Sequence, residues 1–291
     1  MMAAAGSPGL LRTARREVRH ASDATVRLTA PVRLLPDFLI IGAQRSGTTS
    51  MFKTLMQHPL VARPFLRKGV HYFDIRYDHG LRWYRGHFPL AVPARLRRLG
   101  RGHPVTGESS PYYLFHPLAI SRIARDLPAV KLIVLLRDPV LRAYSGHSHE
   151  LGRGYETEPF ERALDLEPER IRGERERMLA EPGYESRDWQ HHAYLTRGQY
   201  HEQLTAVEAL VGRDRMHIVD SHLFFTDPEP TFGGVLDFLG LPRSSEITYE
   251  RHNARTRSPL SPALRARLEE HFAPHDERLA QWWGRVPTWR R

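Results

Sequence analysis

The sequence contains no cysteine. Disulfides and thiolate metal sites are therefore excluded. A reducing compartment is compatible with this, and a cytoplasmic protein is the expectation. Long apolar runs are also missing. The longest, "FLII" and "LIVLL", are of strand length, far short of the roughly 20 residues that cross a bilayer. The opening stretch, "MMAAAGSPGLLRTARREVRHASDATVRLTA", has arginines but too little apolar core for a secretory signal. Neither an internal repeat nor a low-complexity linker divides the chain. Zinc-finger and helix-turn-helix signatures are lacking, and the arginines are scattered rather than gathered beside an aromatic platform. A nucleic-acid-binding module is therefore disfavoured.

What is present is a chain of 291 residues with a formal net charge of +10, most of its positive charge from arginine. That length suits one large domain or two small ones. The charge favours anionic ligands without choosing among nucleotides, acidic sugars, nucleic acid or membrane surface.

The order of apolar runs predicts an α/β fold. "DFLII" stops at Gly42, and a helix starts near Thr48 with Phe52, Leu55 and Met56 on one side. Strand, loop and helix in that order open a parallel sheet. "HPVTGESSPYYLF" predicts a short strand and a loop. "PLAISRIARDLP" predicts a helix with Ile120, Ile123, Ala124 and Leu127 inward. Val130 to Leu136 is almost unbroken apolar sequence, as in a strand buried on both faces. It ends abruptly at Arg137, Asp138 and Pro139, where a proline-initiated helix follows. Charged sequence from Glu156 to Trp189 predicts one or two surface helices. "YLTRGQYHEQLTAVEAL" predicts a helix ending near Gly212, and "RMHIVDSHLF" a strand. "EPTFGGVLDFLGLP" predicts a helix stopped by Gly240 and Pro242, and Ser261–Gly284 a pair of helical segments. The expectation is one α/β domain over residues 36–291, with a central parallel sheet and flanking helices. Residues 1–35 are expected to be a lead-in, helical or loosely attached.

"GAQRSGTT" carries the chemistry. Gly42 and Gly47 have Walker A spacing, yet Thr48 stands where the lysine belongs and the basic residue, Arg45, comes earlier. A glycine loop between strand and helix offers backbone N–H groups and a helix dipole to an anion. The arrangement fits a terminal phosphate or sulfate and lacks the Lys-Ser/Thr pair that serves a triphosphate with Mg²⁺. A plain tight turn is the alternative. In "RDPVLRAYS", Arg137 and Ser145 can converge on one phosphate, the first as a charged fork and the second as a hydroxyl donor. Alternatively, Arg137 pairs with a local carboxylate and Ser145 bonds back to its own helix.

Together the two segments resemble the sulfotransferases that use 3′-phosphoadenosine-5′-phosphosulfate (PAPS), specifically the carbohydrate branch with the heparan sulfate enzymes and their bacterial relatives. "GAQRSGTT" is similar to that family's 5′-phosphosulfate loop and "RDPVLRAYS" to its 3′-phosphate element. "GVHYFD", "GLRWYRGHFP", "GESSPYYLFHP", "YLTRGQYHEQL" and "VLDFLGLP" follow in the family's order, so the resemblance spans about Pro36 to Trp283. It implies a P-loop-like phosphosulfate-binding loop, with Arg45, Ser46, Gly47, Thr48 and Thr49 around the 5′ group. Arg137 and Ser145 would hold the 3′-phosphate, and Arg255 and Arg257 of "YERHNARTRSPLS" are further donor-binding candidates. PAPS would be the co-substrate and PAP the product, with no metal. Direct in-line transfer would go to a hydroxyl or amine of a small-molecule or glycan acceptor. Arg45 would neutralise charge on the bridging oxygen as the S–O bond breaks.

The chain departs from that pattern at the expected base. Where the heparan branch reads Lys-Glu-x-His-Phe-Phe, this chain reads "RKGVHYFD", with Gly69 in the glutamate position. The family's Glu-Lys-Thr-Pro segment is "GESSPYY" here, with Glu108 retained and Ser109 replacing lysine. Three readings follow. His71 is the base, its ordinary pKa of about 6.5 suiting the task; Glu108 serves instead; or the chain binds donor and is catalytically impaired. Gly69 also costs the expected aromatic strand backbone freedom, so a side chain there is expected to stabilise the fold. A Mg-independent nucleotide-binding or small-molecule kinase-like protein is the rival class. Tyr72, Phe73, Trp83, Tyr84, Tyr112 and Tyr113 either stack an acceptor or belong to the core.

Overall fold

The structure is a computed structural model that describes residues 27–64, 68–96, 102–250 and 259–291. Its centre is a five-stranded sheet of β1 (Phe38–Gly42), β2 (Val61–Ala62), β3 (Val105–Ser109), β4 (Lys131–Leu136) and β5 (Met216–Asp220). The strand order is β2-β3-β1-β4-β5, and every pairing is parallel. Successive side chains of a strand point to opposite faces. Leu39, Ile41, Leu132 and Val134 accordingly enter one core and Phe38, Ile40, Ile133 and Leu135 the other. Two buried faces explain why "FLII" and "LIVLL" carry no polar alternation.

The helices that position the site are α1 (Thr48–Leu55), α2 (Ala119–Asp126), α3 (Pro139–Leu151), α4 (Phe160–Arg170), α5 (Glu174–Ala180), α6 (Tyr200–Val211), α7 (Ser221–Thr226), α8 (Pro228–Leu239) and α9 (Pro262–Trp283). Asp138 caps α3, its Oδ1 accepting from the N–H groups of Val140 at 2.9 Å and Leu141 at 3.3 Å. Asp220 ends β5 and caps α7 by accepting from the His222 N–H at 2.9 Å. The strand foreseen in "RMHIVDSHLF" therefore covers only Met216–Asp220. In α8, Gly240 takes the left-handed conformation at the helix end.

Other elements differ from expectation for identifiable reasons. α4 is not a purely surface helix. Its Glu167 is buried, and the carboxylate accepts from the N–H groups of Tyr194, Leu195 and Thr196 at 2.6–2.8 Å. This carboxylate holds the segment that precedes α6, which begins at Tyr200 rather than Tyr194. The foreseen pair of C-terminal helices is the single helix α9, which runs through Pro274. A continuous buried stripe of Leu264, Leu268, Phe272, Asp276 and Leu279 holds it on both sides of the proline. "HYFD" forms no strand; it is irregular, and His71 has a left-handed φ of 55°. Arg33, in the expected lead-in, is buried and donates to the Phe88 carbonyl at 2.6 Å.

Candidate active site at the carboxyl edge of the sheet

In open parallel sheets, ligands bind outside the carboxyl ends of the strands, where the strand order reverses. Here β1 lies between β3 and β4. A cleft of about 840 Å³ opens at that edge, lined by the segments that follow β1, β3, β4 and β5, including Arg45, Pro111, Arg137 and Phe225. The volume suits a nucleotide-sized ligand.

The loop after β1 is pinned at its base by the Ala43 N–H, which donates to the Leu135 carbonyl of β4 at 2.8 Å. Gly47 then adopts φ 89°, and Thr48 begins α1. A Cβ on Gly47 would stand 2.9 Å from the Phe225 ring, so glycine is required both by conformation and by close approach. Arg45 is also left-handed, at φ 71°. Its Nε donates to Ser145 Oγ on α3 at 3.1 Å, and the Arg137 guanidinium donates to the Arg45 carbonyl at 3.1 Å. Arg45, Arg137 and Ser145, 100 residues apart at the extremes, thus meet in one place. Gly47, Thr48 and Thr49 line the same cleft. Ser46 lies beneath it, and its buried Oγ has no hydrogen-bond partner among the described residues.

His71 lies outside the set of residues lining this cleft, with its side chain one-third exposed. Its Nδ1 is 2.7 Å from Asp74 Oδ2, and its backbone N–H donates to Ser110 Oγ at 3.0 Å. Burial pulls the His71 pKa down, but the hydrogen bond and charge of Asp74, with Glu108 behind, outweigh it, and the net shift is upward. Glu108 is fully buried. One of its oxygens accepts from the Tyr113 and Tyr84 hydroxyls at 2.7 and 3.1 Å, the other from the Val70 N–H and Ser110 Oγ at 2.7 and 2.6 Å. Burial raises its pKa against the pull of these bonds. This carboxylate ties three segments together and does not line the cleft. Tyr72, Phe73, Trp83, Tyr84, Tyr112 and Tyr113 are all buried core residues.

Three cations of the cleft went unrecognised in the sequence. Lys68 donates from Nζ to Thr49 Oγ1 at 2.6 Å. Arg142 is buried, and burial brings its pKa down to about 10. Arg197 is buried over the Phe115 ring, 4.6 Å from its centroid, and donates to the Gln44 side chain and to the Trp189 and Gln190 carbonyls. The Nε atoms of both arginines lack a hydrogen-bond partner among the described residues. "RDPVLRAYS" and "YLTRGQYHEQL" contain these two arginines, so their place in those segments was the available signal.

A family model described as a sulfotransferase domain matches residues 35–258. This chain belongs to the sulfotransferase family. Human heparan sulfate glucosamine 3-O-sulfotransferase 5 is 25% identical to it over 93% of this chain and 78% of that protein. Human heparan sulfate glucosamine 3-O-sulfotransferase 3B1 is 29% identical over 83% of this chain and 54% of its own length. A solved sulfotransferase structure from Alicyclobacillus acidocaldarius superposes with a TM-score of 0.65 at 28% identity, covering 89% of this chain and 100% of that one.

PAPS, the donor the sulfotransferase family implies, fits the residues present. Arg45, Lys68, Arg137, Arg142 and Arg197 give an anion a wall rich in cations. Position 69 of this sulfotransferase is closed to side chains. A Cβ there would stand 2.5 Å from the Ser109 carbonyl oxygen and 3.1 Å from Ser110 Oγ. The expected gain in stability from a side chain is overturned by that contact. Arg255 and Arg257 lie outside the described residues. Among the described residues, no helix is long and apolar enough to cross a membrane.

Proposed function

We propose that this chain transfers a sulfuryl group from PAPS to a hydroxyl or amine of a small-molecule or glycan acceptor. The observation that carries this reading is the meeting of the glycine loop with the segment after β4, through Arg45, Arg137 and Ser145. On this reading the contact lets one site serve both ends of a bisphosphorylated nucleotide. The names of the two human relatives, each specifying a heparan sulfate glucosamine, support a glycan acceptor.

When bound, PAPS supplies an activated sulfuryl group on a mixed anhydride. The loop N–H groups, Ser46, Thr48 and Thr49 hold the 5′ end, helped by the dipole of α1. Arg137 and Ser145 hold the 3′-phosphate. Arg45 stands between the two ends and offsets charge that gathers on the leaving phosphate oxygen. An arginine holds its charge throughout and cannot donate the proton. The acceptor oxygen must lose its proton as it bonds to sulfur, and we assign that proton to His71 Nε2. Asp74 at Nδ1 fixes the ring and stabilises the imidazolium. Glu108, already engaged by four donors, is a poor alternative.

One observation favours a second reading. His71 is not among the residues lining the cleft, which is what a donor-binding but catalytically impaired protein would show. Incubation with radiolabelled PAPS and a panel of glycans, phenols and lipid extracts separates the two. Label transfer to any acceptor supports the enzyme; donor binding with no transfer across the panel supports the impaired form.

A further inference from the structure

We infer that Lys68 is a second cation at the reacting end of the site and faces the sulfuryl group, while Arg45 stands between the leaving phosphate oxygen and the 3′-phosphate residues. The inference rests on the donor reading above.

Arg45 is tied on one side to the 3′-phosphate residues. Its Nε donates to Ser145 Oγ, and its carbonyl accepts from Arg137, the two residues assigned to the 3′-phosphate. Lys68 stands at another side of the same loop. Its Nζ donates to Thr49 Oγ1 at 2.6 Å, and Thr49 belongs to the first turn of α1. Its carbonyl accepts from the Ser109 N–H at 2.9 Å, so the main chain that delivers it is anchored to β3. The next position cannot share the task, because any Cβ on Gly69 meets the Ser109 carbonyl. With Gly69 in the glutamate position, Lys68 is the charged group that this segment presents to the cleft.

The electrostatics agree. Among the described residues no carboxylate pairs with Lys68. Burial and the charge of Lys53 on α1 bring its pKa down to about 8. An ammonium held there against burial and a like charge is favoured by a bound anion. The missing Walker lysine of "GAQRSGTT" thus has a counterpart, supplied from a different segment.

The test is calorimetric binding of PAPS and PAP, without acceptor, to the full chain and to Lys68→Met and Lys68→Arg. PAP has every donor group except the sulfuryl. For Lys68→Met the ratio of PAPS to PAP affinity is expected to fall about tenfold, with PAP binding changed less than about twofold. Lys68→Arg should keep the wild-type ratio. The wild-type ratio should decline above about pH 8, where Lys68 loses its proton, while that of Lys68→Arg stays level. Thr49→Val, which removes the aiming hydroxyl and leaves the lysine, should lower the ratio in the same direction. Equal weakening of PAPS and PAP in Lys68→Met, or an unchanged ratio, overturns the inference and leaves the donor reading standing. Binding of neither ligand by wild type overturns both.

Discussion

Gly69 faces the carbonyl oxygen of Ser109, and a Cβ at position 69 would stand 2.5 Å from it. The neighbouring Lys68 carbonyl takes the Ser109 N–H, so the two segments are clamped at this point. The glycine is thus a packing requirement of this chain rather than a vacancy left in an unchanged frame. Gly69→Glu is expected to destabilise the fold by about 1–3 kcal/mol, as overpacking does. It should not raise turnover. Thermal unfolding and label transfer on the same preparation check both; a variant as stable as wild type and faster would show that position 69 has room for the missing base.

Glu108 is expected to be structural. Glu108→Gln should cost about 1–3 kcal/mol in unfolding free energy, because a buried donor loses its acceptor. Denaturant titration measures this. If that variant keeps wild-type stability and loses only turnover, Glu108 belongs to the chemistry instead.

Arg137→Ala should weaken PAP by about 2–3 kcal/mol through loss of a charge-assisted bond. AMP, which has no 3′-phosphate, should be nearly unaffected. Equal losses for the two nucleotides would mean that Arg137 does not read the 3′-phosphate.

His71 must be neutral to accept a proton. Its pKa is raised above the usual value of 6.5, so activity should fall as pH drops through a point higher than an ordinary histidine would set. Asp74→Asn removes the strongest influence that raises the pKa and should move this acid limb to lower pH. His71→Ala should reduce turnover about 10²–10⁴-fold while PAP affinity holds. The same shift affects stability. A folded-state pKa raised above the unfolded one means the His71–Asp74 pair stabilises the fold fully below about pH 6.5, and that contribution is lost as pH rises through the folded value. A rate profile with no ionisation between about pH 5 and 8, together with an active His71→Ala, would remove His71 from the mechanism.

The elements that could be foreseen are those whose signal is local. A glycine that ends an apolar run marks the turn from β1 to α1, and Arg137 at the end of "LIVLL" marks the carboxyl edge of β4. Long-range contacts decide the rest. Glu167 accepts from the Tyr194 amide across 27 residues. Lys68 reaches Thr49 across 19 residues, and Arg197 reaches Gln44 across 153. No periodicity records such pairings. The irregular "HYFD" segment was equally hidden, because aromatics favour strands locally, whereas here they fill a core beside Tyr84 and Tyr113.

On the proposed reading the cleft holds a 3′-phosphorylated adenosine nucleotide without a metal. Calorimetry of PAP, AMP and ATP against the full chain in the presence of a chelator tests it most directly. PAP should bind tightly, AMP more weakly for want of the 3′-phosphate, and ATP weakly. Absence of PAP binding, with ATP binding once Mg²⁺ is restored, would rule out such a donor site and point to nucleotide-dependent kinase chemistry instead.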